Sequence, residues 1–193
     1  VLEWCKRLDL RIITFWGFSM ENFDRDKKEV KKLMELFEQK IDEIKNMADL
    51  HKNKIRVRVF GRINLLTEKI QKKIMEIEKE TMEYDNYHVN ILLAYGGKQE
   101  IIDACNAISQ DFKDGKIKGI DEKTFTKYLY TKDLPDPDLI IRTSGEQRLS
   151  GLMPWQSAYS ELYFCDKLWP DFNEQDLKLA VEEFHRRKRR FGR

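Results

Sequence analysis

Residues 134–172 read LPDPDLIIRTSGEQRLSGLMPWQSAYSELYFCDKLWPDF. Pro135 and Pro137 bound a short apolar run, Leu139 to Ile141, whose length suits a buried strand. Arg142 follows at once, then Thr143, Ser144, Gly145, Glu146, Gln147, Arg148 and Ser150. A second apolar and aromatic run, Leu162 to Phe164, comes directly after Glu161. A buried strand ending on arginine, small hydroxyls and glycine presents a cation and backbone N–H groups at one edge of a sheet, which suits an anion. A solvated loop uses the same residue types, so this strand end alone leaves both readings open.

Upstream the same alternation repeats. Ile12 to Phe18 is nearly all apolar, the pattern of a buried parallel strand, and it runs into SMENFDR, Ser19 to Arg25. Val30, Leu33, Met34, Phe37, Ile41, Ile44 and Ala48 recur at helical intervals. Ile55, Val57 and Val59 alternate with Arg56 and Arg58, a strand with one wetter face, closed by Gly61 and Arg62. Leu66 to Met82 is helical, and Val89 to Ala94 is a buried strand closed by YGGK, Tyr95 to Lys98. Ile101 to Phe112 forms a helix, Asp121 caps a short one through Tyr128, and Asn173 caps a last one to Arg189. Val1 to Leu8 reads as the tail of a helix. The expectation is an α/β fold: one domain with a mostly parallel central sheet flanked by helices. Ligands in such sheets sit beyond the carboxyl ends of the strands. That rule collects Ser19 to Arg25, Gly61 and Arg62, Tyr95 to Lys98, and Arg142 to Ser150 at one edge.

Composition narrows the partners. Lys and Arg (36) nearly balance Asp and Glu (34), which argues against a nucleic-acid coat. The basic run Arg186 to Arg190 looks like an RNA or lipid-surface patch, and a solvated helix end with favourable dipole interaction is the plainer account. No apolar run approaches membrane-spanning length, and no signal peptide is visible. Cys5, Cys105 and Cys165, like His51, His88 and His185, are scattered, without disulfide or metal spacing, and a reducing cytoplasm fits.

Four blocks resemble the cis-prenyltransferases, the undecaprenyl diphosphate synthase family. FSMENFDR, Phe18 to Arg25, is similar to its FS-x-EN-W-x-R element, with Phe23 where Trp is usual. AYGGKQEI, Ala94 to Ile101, is similar to NYGG-R-x-(D/E)-I. The block from Arg142 to Phe164 resembles the family's most specific signature, with Gln147 where His is often found and Met153-Pro154 before Trp155. RRFG, Arg189 to Gly192, resembles its terminal R-x-G.

The resemblance implies condensation of isopentenyl diphosphate with an allylic prenyl diphosphate, repeated to give a long cis-polyprenyl diphosphate for a glycosyl-carrier lipid. Arg142, Arg148 and Ser150 would hold isopentenyl diphosphate, since guanidinium groups match diphosphate oxygens in pairs. Glu146 would either touch substrate or partner the arginines. Arg25 would reach the allylic side or merely flank the long helix, and Ser19 and Asn22 would act near the reacting carbon. Glu161 would be a magnesium ligand. Gly17 would leave room for a product tunnel or permit close packing. Trp155 and Tyr159 read as core or subunit contact. The family also implies a cytoplasmic homodimer, Arg190 and Gly192 approaching a partner's site, and peripheral membrane contact for product release. Nucleic acid is not an expected partner.

The family's first motif is a strand into a glycine-rich HDGNRR-type loop that supplies the principal catalytic Asp. It has no counterpart in the 193 residues. A piece of a longer chain and a non-catalytic interaction subunit are both compatible with that. The missing strand would lie inside the sheet, so the first is physically easier. Residues 1 to 193 alone are expected not to elongate a prenyl chain, and a native upstream segment with the Asp-containing loop is expected to restore activity.

Overall fold

A computed structural model describes residues 1–187. In chain order these residues form α1 (Leu2–Arg7), β1 (Ile12–Trp16), α2 (Lys27–Lys45), α3 (Ala48–Lys52), β2 (Ile55–Phe60), α4 (Glu68–Glu80) and β3 (Tyr87–Leu92). Then come α5 (Gly97–Lys113), α6 (Glu122–Thr126), β4 (Leu139–Arg142), β5 (Glu161–Phe164) and α7 (Glu174–Arg186). Short 3-10 turns lie at Met20–Asp24, Ile63–Leu65 and Trp169–Asp171. The fold is α/β, and every strand pairing is parallel. The strands make two sheets where the sequence suggested one: β1-β3-β2 and β4-β5. They belong to two compact units, residues 10–132 and residues 1–9 with the chain from 133 on.

In the first unit β3 is central, with Thr14 beside Asn90 on one side and Arg58 beside Asn90 on the other. Along β2 the expected alternation holds: Ile55, Val57 and Val59 are buried and the residues between them are half-buried. The outer edge of β2 is not left open. Val57 N–H donates to Thr81 Oγ1 (3.1 Å) and Val59 N–H to Glu78 Oε1 (2.7 Å), so α4 and its C-cap satisfy donors that would otherwise invite another strand. Ile70, Ile74 and Ile77 of α4 are buried, each contributing about 1.5–3 kcal/mol.

Helix α2 begins where Asp26 accepts from Lys28 N–H and buries Met34 and Ile41. The apolar periodicity continues to Ala48, but the helix stops at Lys45. Asn46 Nδ2 turns back to the Asp42 carbonyl (2.9 Å), so the side chain competes with the next helical bond, and α3 starts afresh. Strands β1 and β3 also end two residues early. Gly17 and Phe18 N–H both donate to Leu92 O (3.0 and 3.2 Å), and Ala94 takes a positive φ of 48°, which breaks the pleat.

Helix α5 is anchored by Glu100, which is 1% exposed and accepts from Tyr95 Oη (2.6 Å) and Tyr130 N–H (2.9 Å). Residues 128–132 are thereby strapped to the helix. In the loop before α6, Gly115 and Gly119 have nothing within 4 Å of a would-be Cβ. Asp121 caps α6 as expected, accepting from Thr124 N–H (2.7 Å).

In the second unit β4 and β5 align Leu139 with Glu161 and Arg142 with Phe164. Asn173 caps α7, its Oδ1 accepting from Gln175 and Asp176 N–H, while Asp176 accepts from Asn173 N–H. Glu174 in the same turn takes a two-pronged bond from Arg7 of α1 (2.6 and 2.7 Å). The helix ends at Arg186, short of the expected Arg189. Arg190 and Gly192 lie outside the described residues.

Candidate active site

Three of the four anticipated strand ends meet in the first unit. Ser19 pairs with Tyr95 beyond the ends of β1 and β3, and Arg62 N–H donates to Ala94 O (3.1 Å). Two glycines lie there, and one of them permits that approach. The first is Gly61, whose φ is 136° and whose Cβ would stand 1.9 Å from Leu93 O; at Gly96 a Cβ would displace only the flexible tip of Gln99. The fourth end, Arg142, closes a strand of the other sheet.

Within the first group, Ser19 and Asn22 are locked together. Ser19 N–H donates to Asn22 Oδ1 (2.9 Å) and Asn22 N–H to Ser19 O (3.2 Å), fixing the turn that follows β1. Arg25, half-exposed, reaches Glu29 on the first turn of α2 (2.7 Å), so here it flanks the helix. Gly17 is roofed by Leu93: a Cβ there would lie 3.1 Å from Leu93 Cδ2. The ring that meets α2 belongs to Phe18, edge-on to Phe37 at 5.7 Å.

Arg62, a strand-end cation, is already committed. Its Nε and Nη2 grip both oxygens of Asp103 (2.9 and 2.8 Å), and Tyr130 Oη donates to the same carboxylate. The guanidinium holds the Asp103 carboxyl below its ordinary range, and Asp103 in turn pushes Arg62 up. Burial first, and the Asp103 hydrogen bond second, push the Tyr130 phenol up.

The second unit gathers Arg142, Glu146, Arg148 and Ser150. Arg142 Nη1 donates to Ser150 Oγ (2.9 Å) and to the Arg148 carbonyl, and Arg148 Nη1 donates to Glu146 Oε2. One guanidinium thus holds the loop that carries the other. Both retain N–H groups for an anion, and Arg148 is 61% exposed. Glu146 occupies the place of an electrostatic partner. The backbone contributes less than the strand-end argument suggested. Ser144 N–H is spent on Lys167 O (2.7 Å) and Gly145 N–H on Cys165 O (3.0 Å).

Glu161 stands apart from this group. It opens β5 beside Leu139, so it lies about 10 Å along the strand from the level of Arg142, three residues at about 3.3 Å each, and on the opposite face. Its Oε2 accepts from Arg187 Nη1 (2.9 Å), which also donates to Leu162 O (3.0 Å). Among the described residues no three His, Cys, Asp or Glu side chains gather where they could hold a metal ion. A single carboxylate already bonded to a guanidinium does not make a magnesium site by itself.

Sequence reasoning missed Asp103, Lys167, Asp176 and Arg187. Each pairs with a residue distant in sequence or across a turn, and only the Asn173–Asp176 capping spacing carried a local signal.

Comparison with known proteins identifies the family. Residues 1–192 match the family described as "Putative undecaprenyl diphosphate synthase". The tritrans,polycis-undecaprenyl-diphosphate synthase (geranylgeranyl-diphosphate specific) of Methanocaldococcus jannaschii is 51% identical over 197 residues, covering 100% of this chain and 70% of the relative. The isoprenyl transferase of Thermotoga maritima is 49% identical over 99% of this chain and 81% of its own length. The lavandulyl diphosphate synthase of Lavandula x intermedia, solved with dimethylallyl diphosphate, superposes with a TM-score of 0.92 at 33% identity, covering 100% of this chain and 84% of that one. A match along nearly the whole chain, close relatives of one activity class and the shared fold lead to one conclusion: this chain belongs to the undecaprenyl diphosphate synthase family of prenyltransferases.

Proposed function

We propose that the protein elongates an allylic prenyl diphosphate with isopentenyl diphosphate units in cis, taking geranylgeranyl diphosphate as primer and yielding a long-chain polyprenyl diphosphate for a glycosyl-carrier lipid. The observation that carries the reading is the paired-arginine loop at the end of β4. Arg142 reaches Ser150 and the Arg148 carbonyl, and the Arg148 guanidinium is exposed. Fork-shaped donors on one short loop match the vicinal oxygens of a diphosphate better than point-charge ammonium groups. Support for the primer comes from the names of the archaeal relatives, geranylgeranyl-diphosphate specific at 51 and 48% identity.

In this reading Arg142 and Arg148 bind and orient isopentenyl diphosphate, Ser150 fixes the Arg142 fork, and Glu146 limits the charge of the loop. Ser19 and Asn22 form a rigid polar turn at the end of β1, to which the role beside the reacting carbon is assigned. Arg25 serves the allylic diphosphate only after leaving Glu29. Orienting isopentenyl diphosphate is the contribution to rate that the arginine loop offers, since orientation can be worth about 7–11 kcal/mol. Glu161 would be one oxygen donor to a magnesium ion, whose charge would ease departure of the allylic diphosphate. No helix among the described residues is long and apolar enough to cross a membrane. A homodimer in the cytoplasm, touching the membrane to release product, completes the proposal.

The test is incorporation of radiolabelled isopentenyl diphosphate by the full-length protein with geranylgeranyl, farnesyl or dimethylallyl diphosphate. Long products with geranylgeranyl diphosphate preferred are expected. Elongation that prefers farnesyl diphosphate overturns the primer assignment. Absence of elongation with every primer, restored by a second subunit, overturns the catalytic reading.

A further inference from the structure

The arginine loop hangs from a neighbouring turn, and that turn has its own anchor. Ser144 and Gly145 both adopt positive φ, 76° and 73°. Serine is strained in that region, so something must hold it there. Their N–H groups donate to Lys167 O (2.7 Å) and Cys165 O (3.0 Å), on the turn that follows β5. The Lys167 ammonium lies on both oxygens of Asp176 (2.7 and 2.9 Å). Asp176 is buried and also accepts from Asn173 N–H (2.9 Å), which fixes it to the start of α7. The ammonium holds the Asp176 carboxyl below its ordinary range, with the Asn173 N–H adding to the effect. An unbroken series of bonds therefore runs from α7 through Asp176 and Lys167 to Ser144 and Gly145, next to Arg142.

We propose that Lys167 and Asp176 are positioning residues for the diphosphate loop. Their ion pair fixes the turn at residues 165–167, and that turn fixes the loop from Arg142 to Ser150. Neither residue touches substrate. The inference rests on the reading of Arg142 as a ligand of isopentenyl diphosphate.

Steady-state kinetics of the full-length protein, varying isopentenyl diphosphate, test it with Lys167→Met, Lys167→Arg, Asp176→Asn, Arg142→Ala and the double variant Arg142→Ala/Lys167→Met. Lys167→Met and Asp176→Asn are expected to raise KM at least about threefold, in line with coupling between contacting groups, with kcat within about twofold of wild type. Lys167→Arg restores KM, because a guanidinium still spans both Asp176 oxygens. In the Arg142→Ala background Lys167→Met adds nothing further to KM. A merely structural role would lower kcat through the folded fraction, leave KM in place and act equally in both backgrounds. Amide exchange guards against a variant that folds poorly: in folded Lys167→Met, Ser144 and Gly145 N–H exchange faster than in wild type while the amides of β4 and β5 do not. Unchanged KM in Lys167→Met and Asp176→Asn, beside a raised KM in Arg142→Ala, overturns the proposal alone. Unchanged KM in Arg142→Ala overturns the reading of the loop, and the proposal with it.

Discussion

Replacing Arg142 by alanine removes two things at once. One is the fork that faces a diphosphate; the other is the internal bond to the Arg148 carbonyl and to Ser150 Oγ (2.9 Å). A hydrogen bond to a charged group contributes about 1.5–3 kcal/mol, which converts to a rise in KM of about 10- to 150-fold at about 1.4 kcal/mol per decade. Arg148→Ala removes one fork but leaves Arg142 and its bond to the residue 148 carbonyl, so its effect belongs near the lower end. The double variant should fall short of the product of the single effects by at least about twofold, because the first change already loosens the second residue. Arg142→Lys keeps the charge but cannot reach Ser150, the Arg148 carbonyl and a diphosphate together, so about a tenfold rise is expected. The assay is the initial rate of isopentenyl diphosphate incorporation by full-length protein, with circular dichroism to confirm folding. Multiplicative single effects would refute the shared-loop reasoning, and an unchanged KM in both single variants would remove the loop from the substrate site.

Three further outcomes are expected. Gly17→Leu should shorten the product distribution and, because Leu93 Cδ2 sits 3.1 Å from the new Cβ, should also lower the melting temperature, whereas Gly17→Ala should only lower it; an unaltered length profile on product chromatography returns Gly17 to packing. Thr81→Val should cost about 1–3 kcal/mol in denaturant unfolding, since the N–H of buried Val57 loses its acceptor (3.1 Å); no change in the midpoint would mean that water replaces it. Asp103 has its pKa depressed by the hydrogen bonds from Arg62, so its contribution to stability is present above the ordinary carboxyl value of 3.8 and lost as pH falls through the folded value. Melting curves of wild type and Asp103→Asn should therefore differ at about pH 6 and converge on acidification; parallel curves would show that the Arg62 pair adds no stability.

Periodicity decides the elements and says little about where they stop. The alternation of Ile55, Val57 and Val59 made β2 legible, and the Asp121 and Asn173 caps marked helix starts, because those signals are local. Strands β1 and β3 stop early through a shared acceptor, Leu92 O, and a positive φ at Ala94, and no sequence pattern announces either. For the site, the resemblance brought Arg142, Glu146, Arg148 and Ser150 onto one loop, and the structure assembles them. The plainer alternative for Arg25, flanking the long helix, is the one its bond to Glu29 matches, while nothing in the sequence announced that Arg187 holds Glu161. Charged side chains choose partners in three dimensions, and with 36% of residues charged many partners compete. Nor did a strand-by-strand reading divide the sheet in two, since strand pairing is fixed by tertiary packing.

The strap held by Glu100 has a kinetic consequence. Tyr130 N–H donates to a carboxyl group that is 1% exposed and that also accepts from Tyr95 Oη (2.6 Å). Lifting residues 128–132 would strand a polar group in the interior, so local fraying there is disfavoured although the segment has no regular structure. Tyr130 should then exchange its amide on the timescale of β3, as part of the slowest-opening core of its unit. Gly119, where an added Cβ would meet nothing within 4 Å, should exchange its amide far faster than Tyr130. The same contrast separates where this unit tolerates a nick from where it does not: a protease or an inserted tag meets little resistance between α5 and α6, and a cut at residue 130 would release the anchor of α5.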